Sequence, residues 1–405
     1  MAVLSALDTG RLRGRAVVRD PDEPNRSSSP LELLFDLTFV VAVNQASGAL
    51  EHELLVGHVR DGIIGFTTVF LAVWWAWMNY TWFNTAHDAD DLPHRLLTLV
   101  QMAGVLVLAA GVTPAVEDRS LVVVTIGYGI MRVGLIVSWL RVARDVPDQR
   151  TRALRFAIGL TALQVLWFGR LALPDGPAMV AFVVLFAGEL LVPMWAERAA
   201  PQPIFHPEHI EERYGLFTII VLGESILSAT AGFRVAVSAA GLTPGLLAVG
   251  IGGLVLAFAA WWIYFDHPGH LTPSPAIAFR WGYAHVVVFA SLTAMGAGIH
   301  VAADTVAAGE GGRVAPLAVA LPVAGYLLGL ALIMAVTGTP LGSPRLFPKL
   351  LGATVVAGIG LVLPAAVVVV ACAAVLTALA VSMMVVAPPG RRSPTGDGSS
   401  PARVT

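Results

Sequence analysis

The feature that most constrains this chain is a succession of apolar stretches, each long enough to cross a lipid bilayer as an α-helix. A span needs about 20 mostly apolar residues, because a helix rises about 1.5 Å per residue and the hydrocarbon core is about 30 Å thick. Twelve stretches qualify: 31–50, 62–83, 95–114, 120–140, 153–172, 177–196, 214–232, 244–265, 279–299, 314–336, 348–363 and 364–387. The last two meet at Pro364 and could instead form one broken or re-entrant pair. The sequence therefore predicts an all-α polytopic membrane protein with about twelve spans, in the range of ten to twelve.

Composition agrees with a membrane protein and argues against several kinds of partner. Hydrophobic residues form 56% of the 405 residues and charged residues 13%, whereas soluble domains carry about 25% charged residues. The 40 glycines are typical of membrane helices that pack closely. A formal net charge of −2 argues against a nucleic-acid partner, and the single cysteine, Cys372, excludes an internal disulfide. The partner that composition does predict is the lipid bilayer.

Enzyme and cofactor motifs are missing from the sequence. There is no GxxxxGKS/T loop, no HExxH, no GxSxG and no CxxC site. The connections between spans are too short for a soluble catalytic domain, and the two connections rich in His and acidic residues lack a regular metal-ligand spacing. We therefore expect a protein that is not an enzyme and has no cofactor or metal site. An intramembrane enzyme acting on a lipid is the alternative.

Positive charge predicts the orientation of the spans. When Arg95, Arg280 and Lys349 at the span ends are counted with the adjoining connections, 22 Lys and Arg residues lie outside the twelve spans, and 18 of them lie in the two tails and the even-numbered connections. Because cytoplasmic segments carry the excess of Lys and Arg, both termini are expected on the cytoplasmic side. The polar ends, residues 1–28 and 389–405, have the composition of disordered cytoplasmic tails.

Two features recur about half-way along the chain. Residues 32–40 read ELLFDLTFV and residues 212–220 read ERYGLFTII, at the starts of the first and seventh spans. The second and eighth spans end in Trp-Trp-Ala-Trp and Trp-Trp-Ile-Tyr, and His and acidic residues follow each, including His267 and His270 after the eighth. Six spans separate the copies, which keeps their orientation, so we expect two parallel six-helix halves at 29–200 and 201–388. Chance similarity between apolar helices is the alternative.

The start of the first span carries two carboxylates. Residues 29–32, Ser-Pro-Leu-Glu, have the form of a helix capping box, which by itself would explain Glu32. Asp36 lies one turn deeper on the same face, where two carboxylates disfavour joint ionisation. Asp36 is therefore expected to be protonated, paired with an arginine, or facing water. It belongs either to a pathway for protons, ions or substrate or to a buried ion pair.

Glu224 is the most informative single residue. It lies eleven positions after Arg213 in the seventh span, about 16 Å along a helix and hence near the middle of the bilayer. A carboxyl group there is costly and by default marks a functional site, so we assign Glu224 to a proton, ion or substrate pathway. The alternative is a neutral glutamic acid that hydrogen-bonds to a neighbouring helix.

Charged residues at the cytoplasmic ends of spans extend this pathway. Asp88 and Asp91 follow the second span and are expected to line a gate, and Glu212 and Arg213 open the seventh span. Two further groups have structural interpretations. The first is a possible buried ion pair, because two charges at similar depth could pair with each other or with Glu224: Arg132 and Glu189. The second fits an aromatic belt at the membrane interface: Trp74, Trp75, Trp77 and Trp82.

Several of these strings resemble one family of bacterial membrane proteins. Residues 31–42, LELLFDLTFVVA, and 209–226, HIEERYGLFTIIVLGESI, together with the Trp-Trp pair and acidic cluster of the second span, are similar to the low-temperature-requirement A family. The resemblance covers residues 28–386 and implies a polytopic inner-membrane protein linked to growth in the cold, with no settled biochemical activity. Where the family favours Phe-Phe-Asp, this chain has Leu34-Phe35-Asp36, which retains the carboxylate.

Two functions are consistent with these features. The first is a transporter or channel for an unknown ion or small solute that uses intramembrane carboxylates, chiefly Asp36 and Glu224. The second is a non-transporting membrane factor in cold adaptation or envelope lipid homeostasis. A polar path reaching Glu224 from one side would favour the first function, and a dry interior with paired charges would favour the second.

Overall fold

The computed structural model describes residues 14–21, 23, 26–199, 204–266, 271 and 274–386. Across these residues the chain forms thirteen α-helices, one 3₁₀ turn at Pro147–Gln149, and no strand. In chain order the α-helices are α1 (Pro30–Leu55), α2 (Val59–His87), α3 (Leu92–Ala110), α4 (Val112–Glu117), α5 (Val122–Asp145), α6 (Arg150–Arg170), α7 (Asp175–Glu197), α8 (Pro207–Ala240), α9 (Pro244–Phe265), α10 (Pro275–Ala308), α11 (Val314–Val336), α12 (Phe347–Val362) and α13 (Ala365–Val386). The all-α class is confirmed. His267, His270 and the terminal stretches 1–13 and 387–405 lie outside the described residues.

Ten of these helices are long and apolar enough to cross a membrane. Each of the twelve predicted stretches contains one helix of at least 16 residues. Two of these twelve helices, α6 and α12, are not long and apolar enough to count as candidate spans. Four arginines make α6 unusually polar: Arg150, Arg152, Arg155 and Arg170. Helix α12 has only 16 residues, because it ends at Val362 and α13 begins at Ala365. The multi-pass membrane class, with ten to twelve spans, is therefore confirmed.

Small polar side chains fix the starts of several helices. Ser29 accepts a hydrogen bond from the amide of Glu32, and the Glu32 carboxylate accepts one from the amide of Ser29 at 2.8 Å, so the predicted capping box is confirmed. Asp91, His206 and Thr243 cap α3, α8 and α9 with their side chains. These bonds satisfy amides that have no partner inside the first helical turn.

Helices α1, α8 and α10 run parallel to one another through the bundle. Glu224 of α8 meets Asn44 near the middle of α1, and His300 of α10 meets Glu51 close to the end of α1. We call the side on which these three helices begin the start side, and the opposite side the end side. The three helices therefore share one axis on which polar groups can be compared by depth.

Glycines set how closely α10 packs against its neighbours. A Cβ atom added at Gly296 would lie 2.7 Å from the Cα of Ser225 on α8, and one added at Gly298 would lie 2.0 Å from the carbonyl oxygen of Ala318 on α11. Neither position has room for a side chain. Small residues of this kind let membrane helices approach closely and gain van der Waals contact.

The tryptophans of α2 face the protein interior. Trp74, Trp75 and Trp77 are 1%, 1% and 0% exposed. The indole N–H of Trp77 donates to Asp36, and that of Trp75 donates to Glu189. The interpretation of these three residues as an aromatic belt is wrong, because all three rings fill the core and the N–H groups of Trp75 and Trp77 donate to buried carboxylates.

The chain that precedes α1 crosses the start side of the bundle. The backbone amide of Ala16 donates to the carboxylate of Asp145 at 3.0 Å, and the amide of Arg19 donates to the carbonyl of Ala86 at 2.9 Å. Arg26 is 8% exposed and hydrogen-bonds to backbone carbonyls at the end of α2. Composition predicts disorder for residues 1–28, but the part of this stretch that is described has defined partners, because helix ends offer it unpaired carbonyls and carboxylates.

Candidate functional site

A buried arginine joins the starts of α1 and α8. The guanidinium of Arg213 lies with Nη1 2.7 Å from Oε1 of Glu32, and with Nη2 and Nε 2.5 and 3.0 Å from the two oxygens of Asp36. All three side chains are at most 1% exposed. One cation between two carboxylates on successive turns of α1 offsets the repulsion that the sequence pattern implies.

Neighbouring side chains complete this group, which we call the Arg213 cluster: Glu32, Asp36, Trp77, His209 and Arg213. Trp77 donates to Asp36 at 2.7 Å, and Nε2 of His209 lies 3.3 Å from Oε1 of Glu32. The other ring nitrogen of His209 hydrogen-bonds to Thr85 at 2.9 Å. The cluster therefore ties α1, α2 and α8 together, with a formal charge of −1 when His209 is neutral.

The remaining start-side candidates are held by other contacts. Asp91 caps α3 and forms an ion pair with Arg141 of α5. Asp88 lies 3.4 Å from Arg19 and 3.6 Å from the ring of His94. Glu212, next to Arg213 in sequence, instead accepts a hydrogen bond from the amide of Ser28 at 3.2 Å. Asp88 therefore lies where α2 ends and Asp91 where α3 begins, and their partners are outside the Arg213 cluster.

Glu224 lies deeper in α8, in a sparsely partnered setting. Its side chain is 2% exposed. One carboxyl oxygen accepts a hydrogen bond from the side-chain amide of Asn44 at 3.0 Å, while Oε2 has no hydrogen-bond partner among the described residues. No arginine in the described part of the chain lies within ion-pairing distance of it, and Arg132, which sequence offered as a partner, is paired elsewhere. A carboxyl in this position can bind a proton or a cation without displacing an existing counter-charge.

An aromatic layer separates Glu224 from the Arg213 cluster. Phe217, one turn beyond Arg213 on α8, stacks on Trp77 with ring centroids 4.3 Å apart and meets Phe289 of α10 edge-on at 5.0 Å. All three rings are at most 1% exposed. The start-side charges and the carboxyl of Glu224 are therefore divided by packed aromatic side chains.

A second polar group lies on the end side and was missed by sequence reasoning. Nδ1 of His300 is 2.6 Å from Oε2 of Glu51, and Nε2 is 3.9 Å from Oδ2 of Asp304. The spacing of His300 and Asp304 by one helical turn was a usable signal, but Glu51 comes from a helix far away in sequence. Asn44 was also missed, because an uncharged amide costs less to bury in an apolar span than a charge and is therefore a weaker indication of a site.

Arg132 and Glu189 form a separate buried pair at the periphery. Nη2 of Arg132 lies 2.6 Å from Oε2 of Glu189, and both side chains are nearly inaccessible. Glu189 also accepts hydrogen bonds from Trp75 at 2.9 Å and Trp167 at 3.2 Å, and Arg132 hydrogen-bonds to Tyr128. This pair links α5 to α7, and both oxygens of Glu189 accept hydrogen bonds.

The His- and Asp-rich connections contain side chains of the types that bind metals. Within the described ranges, no three His, Cys, Asp or Glu side chains converge as a metal site. Asp88 and Asp91 pair with arginines, whereas His206 and Glu212 hydrogen-bond to backbone groups.

Comparison with known proteins places the chain among bacterial membrane proteins. Residues 27–387 match the family described as "Bacterial low temperature requirement A protein (LtrA)". An uncharacterised protein of Rhizobium meliloti (strain 1021) is 27% identical over 304 residues, which cover 70% of this chain and 72% of the relative. No solved structure matches the chain significantly.

Proposed function

The chain belongs to the bacterial low temperature requirement A (LtrA) family, and on that premise we propose that it is a transporter or channel for an ion or small solute. Its working groups are intramembrane carboxylates on α1 and α8. Glu224 is the residue that binds and releases the transported or coupling ion. The pathway also includes the start-side charges: Glu32, Asp36, Asp88, Asp91, Glu212 and Arg213.

One observation carries this proposal, namely the buried and nearly unpartnered carboxyl of Glu224. Placing a lone carboxylate at the centre of a bilayer costs roughly 3 kcal/mol or more. A single amide from Asn44, 3.0 Å away, offsets only part of that cost. If residue 224 only joined the two helices, an amide side chain would do so at lower cost, because it forms the same bond to Asn44 and carries no charge. The titratable proton is therefore the property that Glu224 adds.

The Arg213 cluster acts in this proposal as the closure on the start side. Its two carboxylates and one guanidinium already neutralise most of their charge, and the aromatic layer beneath them excludes a polar path to Glu224. Opening would require Arg213 to exchange one carboxylate for another partner. Such exchange between two discrete pairings is how packed interiors switch between states.

A parallel duplication supports a pathway between two halves. If Glu32 is aligned with Glu212, Asn44 aligns with Glu224, and these two side chains touch. Corresponding helix pairs also pack in each half. Helix α3 packs with α5 as α10 packs with α11, and α1 packs with α3 as α8 packs with α10. We infer that residues 29–200 and 201–388 are repeats that meet near Glu224, an arrangement found in transporters.

We also infer the orientation from charge. The excess of Lys and Arg in the tails and even-numbered connections puts the start side in the cytoplasm, and both termini with it. In a bacterium this corresponds to the inner membrane. Reporter fusions after Arg60 and after Arg144 test this orientation, since a cytoplasmic signal after Arg60 would reverse it.

The decisive experiment is flux through purified protein in liposomes. Vesicles containing pH- and potential-sensitive dyes are challenged with gradients of protons, monovalent cations, anions and small metabolites. Glu224→Gln keeps the shape and the bond to Asn44 but removes the titratable proton. We expect this variant to reach the membrane in normal amount and to lose flux.

The matched control is Glu117→Gln, which neutralises an exposed carboxyl at the end of α4 that lies outside the proposed pathway. It should retain flux. If Glu224→Gln is fully active while Glu224→Ala misfolds, Glu224 is a structural hydrogen-bond partner. The protein would then be better described as a non-transporting membrane factor.

A further inference from the structure

A graded series of titratable side chains leads from the end side towards Glu224. Asp304 is the outermost, with 29% of its side chain exposed, followed by Glu51 at 17% and His300 at 13%. Glu224 is the innermost, at 2%. Exposure thus falls in steps from the surface to the middle of the bundle, along helices α1, α8 and α10.

His300 is placed to pass a proton between the two carboxylates. Its ring nitrogens face different partners, with Nδ1 2.6 Å from Glu51 and Nε2 3.9 Å from Asp304. An imidazole can accept a proton at one nitrogen while it releases another from the opposite nitrogen. Gly232 of α8 makes room for this ring, because an added Cβ would lie 2.2 Å from Cδ2 of His300.

Buried hydroxyls occupy the interval between Glu51 and Glu224. On α1, Ser47 lies one turn before Glu51 and one turn after Asn44, which puts these side chains on one face. Ser47 is 0% exposed, and its hydroxyl has no hydrogen-bond partner among the described residues, as is true of Oε2 of Glu224. On α8, Ser228 lies one turn beyond Glu224 and is 8% exposed. Unpartnered polar groups buried on such a route are costly, and both atoms are free to form the hydrogen bonds through which a proton passes.

Few other charges face this route. On α8, Glu224 is the only charged side chain between Arg213 and Arg234, and α11 carries none from Val314 to Val336. Beside Glu51 on α1, His52 is exposed, and Glu53 lies 3.4 Å from His58 instead. The protonation of Glu224 is therefore governed by Asn44 and the groups of the end side.

We propose that Glu51, His300 and Asp304 form a proton relay that loads Glu224 from the end side, so that the proton is the transported or coupling ion. This rests on the proposed function. Asp304 takes one proton from bulk water and passes it to Nε2 of His300, whose Nδ1 proton moves to Glu51. Glu51 delivers that proton to Glu224 along the hydroxyls of Ser47 and Ser228. Asp304 and Glu51 end as they began, and Glu224 gains one proton. His300 ends as the opposite neutral tautomer, and rotation of its ring returns it to the starting form before the next transfer.

The test follows the protonation of Glu224 itself, which needs no knowledge of a substrate. The protein in lipid nanodiscs is given a rapid pH drop, and the carboxylic C=O infrared band absent from Glu224→Gln is recorded over time. We expect His300→Gln to slow the appearance of this band at least tenfold while reaching the same final amplitude. Glu51→Gln should act similarly, and it serves as the second variant if His300→Gln folds poorly.

The matched control is His52→Gln, which removes an exposed histidine adjacent to Glu51 and should load Glu224 at the wild-type rate. Wild-type rates in both His300→Gln and Glu51→Gln would overturn the relay, as would the absence of any titrating Glu224 band. These outcomes are distinct from the failure of the proposed function, which is decided by flux in Glu224→Gln.

Discussion

The carboxyls of the Arg213 cluster lie on α1 and that of Glu224 lies on the adjacent α8, and they are partnered in opposite ways. Asp36 has two bonds from Arg213 and one from Trp77. Glu224 has one amide, from Asn44, and an oxygen with no hydrogen-bond partner in the described part of the chain. The comparison teaches that an intramembrane carboxylate does not by itself mark function. The number and charge of its partners distinguish a carboxylate held in an ion pair from one without a counter-charge.

The two regions should respond differently to neutralisation. Removing one member of a buried ion pair leaves an uncompensated charge, which strongly destabilises a protein. Removing the charge of a carboxyl that faces only an amide leaves no such charge behind. Substitutions that change charge therefore measure which kind of site each residue occupies.

The largest effect is expected from Arg213→Met, which keeps much of the length of the side chain and removes the cation. Glu32 and Asp36 would then face each other without a counter-charge, and we expect the free energy of unfolding to fall by about 3–5 kcal/mol. Thermal unfolding in detergent and the amount of protein in the membrane measure this loss. Arg234→Met, at an exposed position of the same helix, is the control and should unfold like the wild type. An equally stable Arg213→Met variant would contradict the structural role of the cluster.

A smaller loss is expected for Arg132→Met in the peripheral pair. Glu189 would keep its hydrogen bonds from Trp75 and Trp167, 2.9 and 3.2 Å long. We therefore expect a destabilisation of about 2–3 kcal/mol. Adding Glu189→Gln to Arg132→Met removes the stranded charge and should recover part of the loss. A double variant less stable than Arg132→Met would show that Glu189 is not stranded in the single variant.

The sequence predicts well what depends on neighbours along one helix. The capping box at Ser29 and Glu32, the apolar spans and the mid-helix depth of Glu224 all follow from spacing within a single segment. The all-α class and its span count depend on the same local information. These features could be predicted because backbone hydrogen bonding in a membrane leaves few alternatives to a helix.

Contacts between distant helices could not be predicted in the same way. Arg213 and Asp36 are 177 positions apart, and their meeting depends on how α1 and α8 pack. The sequence predicted Trp77 to lie at the membrane interface. This was wrong because composition does not show which face of α2 packs against the other helices. The sequence showed only that His300 lies one turn before Asp304, and its contact with Glu51 depends on how α10 packs against α1. Pairing requires the packing of whole helices, to which a single sequence gives little access.

Trp77→Phe should sharpen the comparison by removing one hydrogen bond without changing a charge. The ring would still pack against Phe217, but Asp36 would lose its donor at 2.7 Å. We expect a loss of about 1–2 kcal/mol in the free energy of unfolding, because Arg213 still neutralises the carboxylate. Trp261→Phe, at a position 48% exposed on α9, is the control. Equal losses in the two variants would mean that ring size, not the N–H donor, sets the effect.

The smallest change in stability is expected for Glu224→Gln. Glutamine has the volume of glutamate, and its side-chain oxygen can accept the bond that Asn44 donates. The substitution also removes the cost of holding a carboxyl in an apolar interior, so the free energy of unfolding should stay within about 1 kcal/mol of the wild type. Glu32→Gln provides the comparison from the Arg213 cluster, since it weakens a charged contact of 2.7 Å to Arg213 and should destabilise clearly. Thermal unfolding of both variants in one detergent ranks them. If Glu224→Gln is the more damaging substitution, Glu224 has a buried cationic partner in the folded state, and its assignment as the ion-binding group fails on stability alone.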